Sequence, residues 1–111
     1  KVTRSVAIRA VFTPSYLALT KAVGTSSAGD TKITASVITD GDTLAYKKNP
    51  SETCVYGTAS SAYSGTSMTS GTAKVISGCS AGDIIEVVEF NSDGKAVAVG
   101  YTTLTADDIK A

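Results

Sequence analysis

Two stretches of this chain repeat one frame, and that frame limits the fold more than any other feature. Ser27-Ala28-Gly29-Asp30 is followed by residues 31–39 and closes at Asp40-Gly41; Ser80-Ala81-Gly82-Asp83 is followed by residues 84–90 and closes at Asp93-Gly94. Gly and Asp supply the backbone conformations that tight turns need, and Asp-Gly is a strong short-range hairpin signal. The spans between are β-branched and too short for a typical helix. Each copy therefore reads as turn, strand, turn. The two strands are expected to be the central staves of an antiparallel sandwich, with Gly29 and Gly82 at positive φ.

A chain of 111 residues has room for one domain around one core. Its hydrophobic content of 42 % excludes a disordered chain, and the abundance of Ser and Thr over aromatics suits stacked strands. The formal net charge of zero removes the electrostatic footprint of a nucleic-acid binder. No apolar run approaches the ~18 residues of a membrane span. Lys1 in place of an initiator Met fits a processed exported form or a trimmed chain. Cys54 and Cys79 are the two cysteines. An even count in a short Ser/Thr-rich chain favours a disulfide and an oxidising compartment, with loop closure worth roughly 3–3.5 kcal/mol. Two buried free thiols are the alternative.

Residues 1–12 alternate: Val2, Val6, Ile8, Ala10 and Phe12 share one face with Arg4, while the other face is mostly polar. Pro14 interrupts the pattern, dividing an extended arm (1–13) from a body (14–111). Residues 16–23 read as a strand, or as a short helix bounded by Thr13, Pro14 and Gly24. Ile33, Ala35 and Val37 share a core-facing side; Leu44 and Tyr46 face one way in the next strand. Residues 54–76 are either a low-complexity loop or a hairpin tipped at Ser64-Gly65, and are expected to be the least stable part. In residues 84–90, Ile84, Val88 and Phe90 lie with Glu86, and Ile85 and Val87 lie with Glu89. Apolar residues on both sides indicate a central strand, or one whose outer face something else covers. Val97, Val99 and Tyr101 are expected to face the core, and residues 104–111 to form a polar tail with a weak helix start at Thr105.

The run Leu19-Thr20-Lys21-Ala22-Val23, Ala28-Gly29-Asp30-Thr31, the alternating residues 33–37 and Gly41-Asp42 resemble the opening of Ig-like repeats in prokaryotic surface proteins. Gly78-Cys79-Ser80-Ala81-Gly82-Asp83 is similar to the Gly-Asp-led strand near the end of such domains. The match covers about a quarter of the chain. It implies an all-β, antiparallel Ig-like β-sandwich at the cell surface. The amphipathic arm is similar in character to the donor strands of extracellular pili, in which one subunit's segment completes the next. Such a homopolymer would use Val2, Val6, Ile8, Ala10 and Phe12 as its joining strand. The arm as the domain's own first strand is the other reading.

Chemistry is sparse. There is no His, hence no common general base or metal ligand. No Ser stands in a nucleophile-elbow frame, two cysteines cannot build a zinc site, and no phosphate-binding glycine loop is present. The chain is therefore not expected to be an enzyme, and no cofactor is expected. Asp40-Gly41-Asp42 and Asp107-Asp108 lack the ligand spacing of a calcium loop. Asn49 and Asn91 sit at turns, the wrong place for an isopeptide crosslink, and open no glycosylation sequon. The expected function is a structural subunit of an extracellular filament or surface layer, with copies of itself as partners. A virion decoration or tube protein and a surface module that binds glycans are the alternatives.

Overall fold

The computed structural model describes residues 15–111, and within them the elements follow in this order. Strands β1 (Ser15–Tyr16), β2 (Leu19–Val23), β3 (Thr31–Ala35) and β4 (Thr43–Lys48) precede a short helix, α1 (Ser60–Tyr63). Strands β5 (Thr66–Met68), β6 (Lys74–Ile76), β7 (Ile84–Phe90) and β8 (Ala96–Thr103) follow, and a 3-10 turn, Ala106–Asp108, comes last. The arm positions Val2, Val6, Ile8, Ala10 and Phe12 lie outside the described residues.

The strands form two sheets, β1-β8-β7-β4-β5 and β2-β3-β6. All neighbours are antiparallel except β1 and β8. This is the two-sheet arrangement of an Ig-like sandwich. The two strands launched by the repeated turns, β3 and β7, each hold the centre of their own sheet, as the repeat implied. The turns themselves are built alike. Asp30 N donates to Ser27 O (3.1 Å) and the Asp30 carboxylate accepts from Ser27 N (3.0 Å). In the second copy, Asp83 N donates to Ser80 O (3.0 Å) and the Asp83 carboxylate accepts from Ser80 N (2.9 Å). Gly29 (φ 92°) and Gly82 (φ 95°) supply the left-handed residue between them.

Between the sheets, Ile33, Ala35, Leu44, Met68, Ile76, Cys79, Ile85, Val87, Ala98, Leu17 and Leu104 form the main core. A second apolar cluster lies on the opposite face of the five-stranded sheet: Cys54, Tyr63, Val88, Phe90, Ala96 and Val99. It is roofed by the excursion between β4 and β5, which carries Cys54 and α1. The apolar outer face of β7 is thus covered by the chain's own residues. Each large side chain buried there is worth about 1.5–3 kcal/mol, which is what holds so Ser- and Gly-rich a segment down.

Several expectations are corrected. Residues 16–23 are strand, but broken in two: after Tyr16 the chain crosses from one sheet to the other. Leu17 is buried at the crossing and donates its N–H to Val99 O (3.0 Å). Gly100 exists to let it pass, since a Cβ there would run into the Leu17 carbonyl. Of the two readings for residues 54–76, the hairpin across Ser64-Gly65 does not form. Tyr63 is drawn inward, and Ser64 takes a left-handed conformation (φ 56°) to end α1. Residues 66–76 are two strands in different sheets, not one. In β8 the alternation breaks at a bulge, because Phe90 pairs with Ala96 while Glu89 pairs with Ala98. Ala96, Ala98 and Val99 are therefore buried and Tyr101 is exposed. The helix start expected at Thr105 is present, with Thr105 and Asp108 forming a capping box, and Lys110 exchanges backbone hydrogen bonds with Gly29 and Asp30 (both 2.9 Å).

Candidate functional site

The structure does not bring the two cysteines together. Cys54 and Cys79 are free and buried. Cys54 belongs to the outer cluster and Cys79 to the main core, on opposite faces of the five-stranded sheet, and the expected bridge is not formed. Burial pushes both thiols up from their ordinary value. Cys79 Sγ donates to Ile76 O (3.4 Å). Both behave as small apolar side chains with their reactivity suppressed.

The chemistry that the fold does assemble stands on β7. Glu86 and Glu89 are both fully buried, and buried charges require paired or hydrogen-bonded surroundings. Glu86 points to the outer face, where its carboxylate accepts from Tyr63 OH (2.7 Å) and from Cys54 N (3.1 Å). Burial first, and then the bond to Glu86, push the Tyr63 phenol far up, so it stays a donor. Lys47, paired in register with Glu86, sets its ammonium 4.5 Å above the Tyr63 ring. Glu89 points inward, to the end of the sandwich. It accepts from Ile38 N (2.7 Å) and Thr39 N (3.1 Å), the loop that carries the chain from β3 to β4. Burial raises its pKa, the two N–H bonds oppose that, and a hydrogen bond with the Asp42 carboxyl adds to it.

Both carboxylates fasten a covering segment to β7, and the two residues that hold Glu86 (Cys54 and Tyr63) also line a pocket of about 250 Å³ together with Lys47 and Thr58. The sequence displayed both glutamates on their correct faces. What it could not display was Tyr63 and the Cys54 N–H arriving from the excursion. Among the described residues no group of three or more His, Cys, Asp or Glu side chains is placed to hold a metal ion. Among them, too, no helix is long and apolar enough to cross a membrane.

A further candidate lies on the surface, away from β7. Where the chain crosses between sheets, a groove of about 360 Å³ opens between the residues from Tyr16 to Thr20 and those from Thr34 to Ile38. Its rims are two large exposed apolar side chains, Tyr16 and Ile38, at 72 % and 60 % exposure.

No protein-family model and no curated protein matches the chain. Among solved structures it is similar to the surface layer protein SbsC, domains 4–9, with a TM-score of 0.66 and 29 % sequence identity. The likeness is to a surface-layer protein. It covers 88 % of this chain and 15 % of that one, about the share of a single domain in the SbsC run. The likeness to SbsC thus accounts for the sandwich as a unit, and it matches the surface-protein resemblance carried by the Gly-Asp turns.

Proposed function

We propose that this chain is a structural module of a cell-surface assembly, a β-sandwich that joins with copies of itself and performs no catalysis. The observation that carries the reading is the likeness to SbsC, at 29 % identity and a TM-score of 0.66 over 88 % of the chain. The buried carboxylates support it as well. They tie both covering segments to the central strand, which suits a rigid building unit better than a site that must open.

The finer part of the proposal is that copies join through residues 1–12. That segment alternates as a strand does, and it carries Lys1, Arg4 and Arg9 with no acidic residue. All ten acidic residues of the chain lie beyond it, so arm and body attract. The sheets end in β1, β5, β2 and β6, and the unpaired edge of a sheet is where an extended segment adds. Negative-stain microscopy and sedimentation of the purified chain test the reading. Ordered filaments or sheets at low salt, lost when residues 1–12 are removed, are expected. A chain that stays monomeric as its concentration is raised overturns it.

A further inference from the structure

The groove at the sheet crossing has a definite cause. β2 pairs with β3 as far as Leu19 opposite Ala35. Before that point the chain belongs to the other sheet, with Ser15 and Tyr16 opposite Ala98 and Val99 of β8. The stretch from Ala35 to Ile38 therefore continues past the end of its neighbour. The gap is walled by Tyr16 and Ala18 on one side and by Thr34, Ala35 and Ile38 on the other. We propose that this groove receives residues 8–12 of a second copy, with Ile8, Ala10 and Phe12 turned onto its apolar walls. The inference rests on the reading that copies join through residues 1–12, and it adds where they join.

Length, charge and direction each favour that occupant. Each wall spans five residues, at most about 16 Å when extended. Ile8, Ala10 and Phe12 occupy alternate positions of a five-residue stretch, so one face of a strand presents three apolar side chains over the same length. Arg9 lies between them, and acidic Asp40 follows Ile38 by two residues in the same loop. The arm of the same chain is badly placed to enter. β1 starts at Ser15 and runs towards the groove, so residue 12 would have to reverse through Thr13 and Pro14 alone. The two-residue turns that reverse a strand so tightly require positive φ. Pro cannot adopt it, and β-branched Thr resists it. A second copy meets no such constraint.

The full chain serves for the test, because Ile38 is exposed and its side chain can be changed without opening the core. Sedimentation should show self-association that weakens as salt is added. Ile38→Lys and Phe12→Asp should each weaken it by on the order of tenfold or more, with the thermal midpoint of the Ile38→Lys chain unchanged. Mixing an Ile8→Cys chain with an Ile38→Cys chain should give a linked heterodimer on oxidation. If Phe12→Asp abolishes association and Ile38→Lys leaves it intact, copies join through the arm at another place and the groove is overturned. Association indifferent to both substitutions overturns the arm reading along with it. A monomeric double variant that closes its Ile8→Cys to Ile38→Cys bridge within one chain overturns the second copy as occupant.

Discussion

Glu86 and Glu89 stand three residues apart on one strand, equally buried, and the molecule holds them by different means. Glu86 is gripped by a side chain and a backbone N–H from the excursion that roofs the outer face. Glu89 is gripped by two successive backbone N–H groups of a loop that must pass this point anyway. The first arrangement ties a segment with little apolar surface of its own to the sheet. The second closes the end of a core that is already packed. A buried carboxylate is thus a fastener on both faces of β7, but only on the outer face does the covering segment depend on it.

The comparison predicts unequal losses. Glu86→Ala removes the acceptor from Tyr63 OH and Cys54 N together, and each buried donor left unpaired costs about 1–3 kcal/mol. A fall of about 4 kcal/mol in urea unfolding, with early proteolysis in residues 49–65, is expected; a loss under about 1 kcal/mol would refute the fastening role. Glu89→Ala should lower stability less, by about 2 kcal/mol, because the N–H groups it frees lie beside exposed Ile38 and can reach water. Equal losses at the two positions would erase the distinction. Tyr63→Phe leaves Glu86 its backbone donor and takes away one hydrogen bond to a charged group, worth about 1.5–3 kcal/mol. Its measured loss should fall well below that of Glu86→Ala.

The smallest effect is on pH. The Glu89 pKa is raised in the folded chain above its ordinary 4.5, by burial and by Asp42 against the pull of the Ile38 and Thr39 N–H groups. Its contribution to stability is then fully present below pH 4.5 and is lost as pH rises through the folded value. Asp83 and Asp108 are lowered, chiefly by backbone hydrogen bonds from Ser80 and Thr105, and act in the opposite sense. They are unchanged in a Glu89→Gln chain, so the difference between the two unfolding curves isolates Glu89. Wild type should lose ground to Glu89→Gln as pH rises above 4.5. Parallel curves would show that Glu89 titrates as an ordinary carboxyl.

What could be read in the residues divides along the same line. The two Ser-Ala-Gly-Asp turns, the strands they launch and the double-faced character of β7 were legible, because turn chemistry and period-two alternation are local signals. The excursion was not. Residues 54–65 carry Ser, Thr, Gly and Ala without a period, and Tyr63 becomes an anchor only once Glu86 is known to lie beneath it. The crossing at Leu17 was equally hidden, since Gly100, which makes room for it, stands more than eighty residues away. The even cysteine count pointed to a bridge because counting cannot see that the two side chains lie on opposite faces of a sheet.

The parallel pairing of β1 with β8 has a mechanical consequence. Among the described residues β1 is the first strand and β8 the last, and the two run side by side in the same direction. A pull on the two ends draws these strands past one another along their length. The contacts at Ser15, Tyr16 and Leu17 then carry the load together and do not unzip one at a time. Beyond β8, the bonds of Lys110 to Gly29 and Asp30 take up force before it reaches that pair. Any load applied through the two ends of the described body would therefore meet its stiff direction first.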